Sequence, residues 1–376
     1  MSDADARPDM HLDGRLLLLR ADATTEGGTG HLMRTLALAQ AWIDAGGRAR
    51  WLVAEAPPAL VDRIAAEGVP IVRVSTRPGA ADDAAGLRAA LDDDPAAMAV
   101  VDGEPFRSAY LTALGSVAAR VLVIDDMADR GAYPVGFVLN QNAHADRTSY
   151  PADARARFLL GIRYVLLRRE FAAAPPPRAT PDTARHVLVT FGGADPTGMT
   201  ARTIVALRLL PAPLRAAIVV RVLVGAADRD SDRIQAAAAD PDLGVRVLVE
   251  RGVADMPARM AWADLAITSG GSTVWELART GCPAIVVETV SAERLLVSGL
   301  VRLGLFESLG PEAGLDPRRL ADAVAAKAQD VAWRVRMTSL GMDTIDGGGA
   351  RRVVRALVGG SAGGDGQDAK RHEERT

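Results

Sequence analysis

Short apolar runs alternate with amphipathic stretches along most of this chain, and few folds satisfy that alternation. In the first half the apolar runs fall at 16–19, 49–53, 71–74, 97–101, 121–124 and 137–139. Their near-continuous apolarity predicts strands covered on both faces. Between them, 60–67, 81–91 and 108–114 carry helical spacing. Such alternation predicts a parallel, doubly wound α/β sheet. A proline-rich stretch with Pro175-Pro176-Pro177 then breaks the pattern as a stiff, extended linker. The cycle restarts at once, with strands predicted at 187–191, 218–224, 245–249, 265–268 and 284–287. Helices are predicted at 200–210, 234–239, 254–262, 273–280, 292–303, 320–329 and 350–357.

Both halves therefore read as Rossmann-like, with a cleft between them. A chain of 376 residues also exceeds one ordinary core. The expected division is a first domain at 14–171, a linker at 172–184 and a second domain at 185–345. A C-terminal helix at 346–358 packs back on the first domain in this reading, and 359–376 is a disordered tail. Hydrophobic residues make up 49% and charged residues 24%, which excludes a wholly disordered chain. A net charge of −3 argues against nucleic acid as the partner. Cys282 is the single cysteine, so no disulfide forms within the chain and a cytoplasmic setting is expected. The first residues are polar and acidic, unlike a signal peptide, and no run approaches the roughly 20 apolar residues of a membrane span.

Within this frame the segment from Arg20 to Arg34 is the first candidate site. It leads from the end of the first strand through Gly27-Gly28-Thr29-Gly30-His31 into a helix whose Leu32, Leu36, Ala39 and Ile43 recur at helical spacing. Ligands in open α/β sheets sit at such strand-to-helix loops. His31 falls in the first helical turn, where the helix dipole disfavours a positive ring. A neutral imidazole at a ligand crevice accepts a proton from water. Capping or packing is the alternative use of a histidine there. Arg34 lies on the same helical face, available to a phosphate, a sugar carboxamide or a structural carboxylate.

The second half offers Ser269-Gly270-Gly271-Ser272-Thr273-Val274-Trp275-Glu276. Two glycines between a strand and a helix let an anion approach the backbone, and the Ser272 and Thr273 hydroxyls add donors. Glu276 is placed to accept from ribose hydroxyls, or Thr273-x-x-Glu276 is only a capping box. Gly192-Gly193 is a second candidate phosphate turn, with a plain turn before a helix begun by Asp195-Pro196 as its alternative. Asp125-Asp126 ends a strand, suited to sugar hydroxyls, to orienting a histidine, or to a solvated cap. Asn140-Gln141-Asn142 suits amide or hydroxyl recognition, or an Asx turn. No Gly-x-x-x-x-Gly-Lys-Ser/Thr, Gly-x-Ser-x-Gly or metal-spaced Cys/His set occurs. Met33 stands at the third glycine position of the dinucleotide fingerprint, which disfavours NAD.

Taken in order, these segments resemble the UDP-sugar hydrolases of pseudaminic acid biosynthesis (PseG-type), relatives of MurG in the GT-B superfamily. The matching segments are Arg20 to Ala23, Gly28 to Arg34, Val123 to Asp126, Leu139 to Asn142, Leu160 to Phe171, Thr190 to Pro196 and Gly270 to Glu276. The resemblance implies release of UDP from a UDP-linked diacetamido-trideoxy sugar by water, with no metal and no cofactor. It implies His31 as the base, Gly192, Gly193, Gly270, Gly271, Ser272, Thr273 and Glu276 on UDP, and Asp22, Gly30, Arg34, Asp125 and Asn142 on the sugar side. Two positions depart from the family pattern. Val101-Asp102-Gly103-Glu104 stands where the family reads Val-Asp-Ser-Tyr, and Glu293 stands where it reads Asn-Gln. Glu104 and Glu293 are expected to face the sugar or diphosphate and to signal a different amino sugar or acceptor, with surface variation beside a site shifted by one or two residues as the alternative. A GT-B glycosyltransferase acting on a surface polysaccharide, or a degenerate UDP-sugar-binding protein, are the alternatives. The oligomeric state is not readable from the sequence.

Overall fold

The structure is a computed structural model and describes residues 11–23, 29–173, 175–225 and 227–359. Residues 24–28 of the first glycine loop, the first part of the lead-in, and 360–376 of the expected tail lie outside the described residues.

The first sheet has seven strands: β1 (Leu16–Ala21), β2 (Arg48–Val53), β3 (Ile71–Arg73), β4 (Met98–Asp102), β5 (Val121–Ile124), β6 (Phe137–Asn140) and β7 (Arg157–Leu160). Their order is β3-β2-β1-β4-β5-β6-β7, every pair parallel. The second sheet has six: β8 (His186–Thr190), β9 (Val219–Val224), β10 (Arg246–Arg251), β11 (Leu265–Ser269), β12 (Ala284–Glu288) and β13 (Glu307–Pro311). Their order is β10-β9-β8-β11-β12-β13, again parallel. The doubly wound expectation is therefore what the chain adopts, twice. Burial makes the central strands legible. Central β1, LLLLRA, is buried at every position, while edge strand β10, with none fully buried, is still legible at 245–249 from its apolar run.

Helices α1 (Gly30–Asp44), α2 (Pro58–Ala65), α3 (Ala81–Asp93), α4 (Ser108–Ala113) and α5 (Arg169–Ala172) belong to the first half. The second half carries α6 (Met199–Ala206), α7 (Ala212–Ala217), α8 (Ser231–Ala238), α9 (Met256–Trp262), α10 (Thr273–Arg279), α11 (Glu293–Arg302), α12 (Pro317–Gln329), α13 (Val331–Thr344) and α14 (Gly349–Val358). The sequence reading missed β7, β13, α5, α7 and α13. β13 reads ESLGP, too polar and too rich in turn residues to announce a strand, and it pairs β12 with a register shift. Helix α13 buries only Trp333, Arg334, Met337 and Gly341, a dilute stripe. It packs closely on α10, where a Cβ at Gly341 would lie 2.8 Å from the Ala278 carbonyl.

The last helix closes on the first domain. Ala350, Val353, Val354, Ala356 and Leu357 share a core with Leu32, Leu36 and Ala39 of α1. A Cβ at Gly349 would sit 2.1 Å from the Val165 carbonyl, so only glycine lets the chain cross there. The segment before the linker belongs to both cores. Leu166 packs with the first domain, while Val165, Leu167 and Phe171 pack with Leu188, Trp275 and Leu277 of the second.

Candidate active site

In each sheet the winding reverses between two adjacent central strands, and the crevice opens at their carboxyl ends. In the first sheet these are β1 and β4, in register at Ala21 and Asp102. Helix α1 starts just beyond β1, which brings His31 and Arg34 over the end of β4. His31 Nδ1 lies 2.9 Å from Asp102 Oδ1. Arg34 Nε and Nη2 donate to the two oxygens of Asp102, each at 2.6 Å, and Arg34 Nη1 donates to Asp126 Oδ2 at 2.7 Å. Asn142 Nδ2 donates to Asp126 Oδ1 at 2.7 Å. The result is one connected row: His31, Asp102, Arg34, Asp126, Asn142.

Two charges in this row are fixed, those of Asp102 and Arg34. The Asp102 side chain has no exposure, and burial alone would push its carboxyl up. The Arg34 guanidinium and the His31 ring reverse this and hold it well below the usual carboxylate range. Arg34 is held in its charged form by Asp102 and Asp126 despite its burial. Nδ1 of His31 also lies 3.2 Å from Arg34 Nη2, but one nitrogen cannot both donate and accept. Arg34 Nη2 already donates to the carboxylate, so Nδ1–H donates to Asp102 and Nε2 is left as the acceptor. The ring is 28% exposed, open enough to meet a substrate.

Several expected contacts fall elsewhere. Asp125, expected to touch sugar, is 2% exposed and accepts from the Tyr133 hydroxyl beneath the loop. Its neighbour Asp126, 33% exposed, is the carboxylate in the row. Asp22 accepts from the backbone N–H groups of Ala54 and Glu55 at 2.7 and 3.0 Å and from Arg20. It ties β1 to the turn after β2 and does not face the cleft. Glu104 is exposed on the turn after β4, which Arg130 pins by donating to the Gly103 and Ile124 carbonyls. The acid of that turn that meets His31 is Asp102. Asp102 is the terminal acid of a fully buried strand, and only the pairing of β4 with β1 brings it to the ring.

In the second sheet the reversal lies between β8 and β11. Gly192 and Gly193 follow β8; Gly270, Gly271 and Ser272 follow β11. A cleft of about 440 Å³ separates these turns from Thr29, Gly30 and Met33 of the first domain. That volume suits a small-molecule ligand. Gly192, Gly193, Gly271, Ser272, Thr273, Glu276 and Glu293 line it. Gly270 lies beneath instead, where a Cβ would be 2.4 Å from Val297 Cγ2. The two domains touch through their glycines. A Cβ at Gly193 would lie 2.2 Å from Thr29 Oγ1, and one at Gly30 would lie 3.8 Å from Ser272 Oγ. His31 is the next residue.

Glu276 Oε1 accepts from Arg168 Nη2 at 2.8 Å, an ion pair between the domains. Burial pushes the Glu276 carboxyl up, and Arg168 only partly offsets this. The capping-box alternative fails, because the cap residue Ser272 makes no side-chain cap bond. Asp195 does act as a turn residue: its carboxylate accepts from the Met199 and Thr200 N–H groups. Asn140 likewise forms an Asx turn, accepting from the Asn142 N–H at 3.1 Å. Thr29, Asp102 and Arg168 are the site residues that sequence reasoning did not single out, and of the Asp125-Asp126 pair it is Asp126 that joins the row. Among the described residues, no group of three or more His, Cys, Asp or Glu is arranged to hold a metal ion.

Two parallel doubly wound domains facing across a cleft define the GT-B glycosyltransferase fold. Residues 208–295 match the glycosyltransferase family 28 C-terminal domain. The crystal structure of Acinetobacter baumannii MurG superposes with a TM-score of 0.62 at 16% identity, covering 92% of this chain and 99% of that one. The kitacinnamycin glycotransferase superposes at 0.64 with 19% identity, covering 92% and 99%. In sequence, the chain is similar to the UDP-N-acetylglucosamine–N-acetylmuramyl-(pentapeptide) pyrophosphoryl-undecaprenol N-acetylglucosamine transferase of Xanthomonas axonopodis pv. citri. Identity is 27% over 283 residues, 70% of this chain and 63% of that protein. The Brucella melitensis biotype 2 enzyme of the same name is 33% identical over 166 residues, 43% of this chain and 42% of its own. The matches thus span less than two thirds of these relatives.

Proposed function

We propose that this protein cleaves a UDP-linked sugar at its anomeric carbon, with water activated by His31 as the nucleophile. The observation that carries this reading is the His31–Asp102 pair, set one residue from the point where the glycine turns of both domains meet. Nε2 of His31 takes a proton from water as the oxygen attacks the anomeric carbon. The bond from that carbon to the phosphate oxygen breaks, and its electron pair leaves with UDP. The carbon passes through an oxocarbenium-like state. Asp102 holds the ring in one tautomer and balances the imidazolium that forms; the proton later returns to solvent.

A diphosphate is a good leaving group once backbone N–H groups hold it, so no strong general acid is required. The turns at Gly192-Gly193 and Gly271-Ser272 are the proposed cradle. Glu276 exchanges Arg168 for ribose hydroxyls in this reading. Asp126, the exposed carboxylate of the row, is the proposed sugar contact, with the buried Asn142 amide behind it, and the ordered motifs favour a diacetamido-trideoxy sugar. No helix among the described residues is long and apolar enough to cross a membrane. The buried lone thiol of Cys282 fits a cytoplasmic enzyme drawing on nucleotide sugars.

Transfer to a sugar hydroxyl is the second reading, favoured by the N-acetylglucosamine transferases among the relatives. The same base serves either acceptor. Incubation with a panel of UDP-sugars and no acceptor separates the two. Sustained UDP release that H31A abolishes supports hydrolysis; release that appears only when an acceptor sugar is added supports transfer.

A further inference from the structure

The Glu293 side chain does something the proposed chemistry does not require. It opens α11 and folds back over the turn after β12. Oε2 accepts from the Thr289 N–H at 2.6 Å and lies 3.2 Å from the Thr289 hydroxyl. The N–H groups of Gly270 and Val290 stabilise the same carboxylate. Its stem covers the glycine turn: a Cβ at Gly270 would lie 3.0 Å from Glu293 Cβ, and one at Gly271 would lie 3.7 Å from Oε1. The groups this acid touches are therefore the backbone donors of the β11 and β12 turns, the kind of donors that hold an anion.

We propose that Glu293 is a built-in anion competing with the ligand's diphosphate for this corner of the cleft, so that nucleotide binding takes up a proton. The inference rests on the reading of the cleft as a nucleotide site. A carboxylate and a diphosphate side by side repel, and the half-buried setting leaves that repulsion poorly screened. The acid relieves it by accepting a proton or by swinging out. Burial already pushes the Glu293 carboxyl up, and the N–H donors only partly bring it down, so protonation is within reach.

Most other charged groups around the cleft have a partner. Arg63 bonds Glu67 and Glu170, and Arg168 bonds Glu170 and Glu276. Asp195 caps α6, and on the opposite side of the cleft His31 bonds Asp102 within the first domain. Glu288 ends β12, and Arg294 follows Glu293 on α11. UDP itself titrates near neutral pH, with a second phosphate pKa of about 6. That contribution is common to wild type and variants, so only their difference is informative.

The test is calorimetric titration of the full chain with UDP across about pH 5 to 9, in buffers of differing ionisation heat, for wild type, E293Q and E293A. E293Q keeps the shape and removes the charge; E293A frees the backbone donors. Both are expected to bind UDP about tenfold tighter at the alkaline end, the order set by like charges a few ångströms apart. Wild type is expected to take up more protons than either variant. Equal affinity and equal proton uptake in all three proteins overturns the inference and leaves the nucleotide reading standing. Weaker binding by E293Q at every pH overturns it too, since the acid then supports the ligand. No UDP binding by any of the three, at any pH, sinks the nucleotide reading and this inference with it.

Discussion

The substitution Asp102→Asn isolates what the buried acid does for His31. The amide keeps the size of the side chain and its oxygen can still accept from Nδ1–H, while its NH2 faces the Arg34 Nε–H donor and the charge is lost. Opposite unit charges about 4 Å apart gain about 4 kcal/mol at an effective dielectric constant of about 20. Because the ring is 28% exposed, about half of that survives screening. A loss of about 2 kcal/mol from the transition state is about a thirtyfold fall in kcat. KM is expected to change little, since the interaction strengthens only as the imidazolium forms. The double variant H31A/D102N is expected to be no slower than H31A, because Asp102 acts through the ring.

Stability supplies an independent readout of the same residue. Breaking the pair leaves Arg34 with Asp126 as its charged partner, at a cost of about 3 kcal/mol. Asp102 is held below its unfolded value, so its contribution is present above about pH 4 and is lost as pH falls through the folded value. The Tm gap between wild type and D102N is thus expected to be full at neutral pH and to close in acid. Folded D102N that turns over UDP-sugar within threefold of wild type would refute the reasoning.

Two further outcomes follow from the cleft. Glu276→Ala is expected to weaken UDP binding about tenfold, the worth of one charged hydrogen bond, and calorimetry showing unchanged affinity would remove Glu276 from the ribose site. Gly193→Ala puts a Cβ 2.2 Å from Thr29 Oγ1, so it should wedge the domains apart and lower kcat/KM. Adding Thr29→Gly removes that obstacle and should restore activity; a double variant as poor as G193A would place the fault in the turn backbone.

How much of this was readable beforehand depended on burial. Central strands such as β1 and β11 bury every residue, so their apolar runs stand out from the sequence. β7 and β13 sit at sheet edges, bury one face at most, and tolerate Arg157 or Gly310 within the strand. The glycine turns announced themselves because close backbone approach leaves little choice of residue. The partners of His31 did not. Asp102 comes to the ring only because β4 lies beside β1, a neighbourhood set by the crossover and absent from any local window. The same topology separates Asp126 from Asp125: adjacent residues leave the strand end on opposite sides, one toward Arg34 and one toward Tyr133. Glu104 was conspicuous by type, but a pinned turn directs it to solvent.

The return of α14 to α1 makes the second sheet an insertion within the first domain, with one chain crossing going out and another coming back. The two crossings touch where Gly349 meets Val165. Two adjacent connectors are expected to limit relative motion of the halves to a swing about one axis and to resist twist. The Arg168–Glu276 pair sits three residues along from that crossing, close to such an axis, whereas the glycine turns lie further out. A single proteolytic cut at either crossing would leave the halves joined by the other.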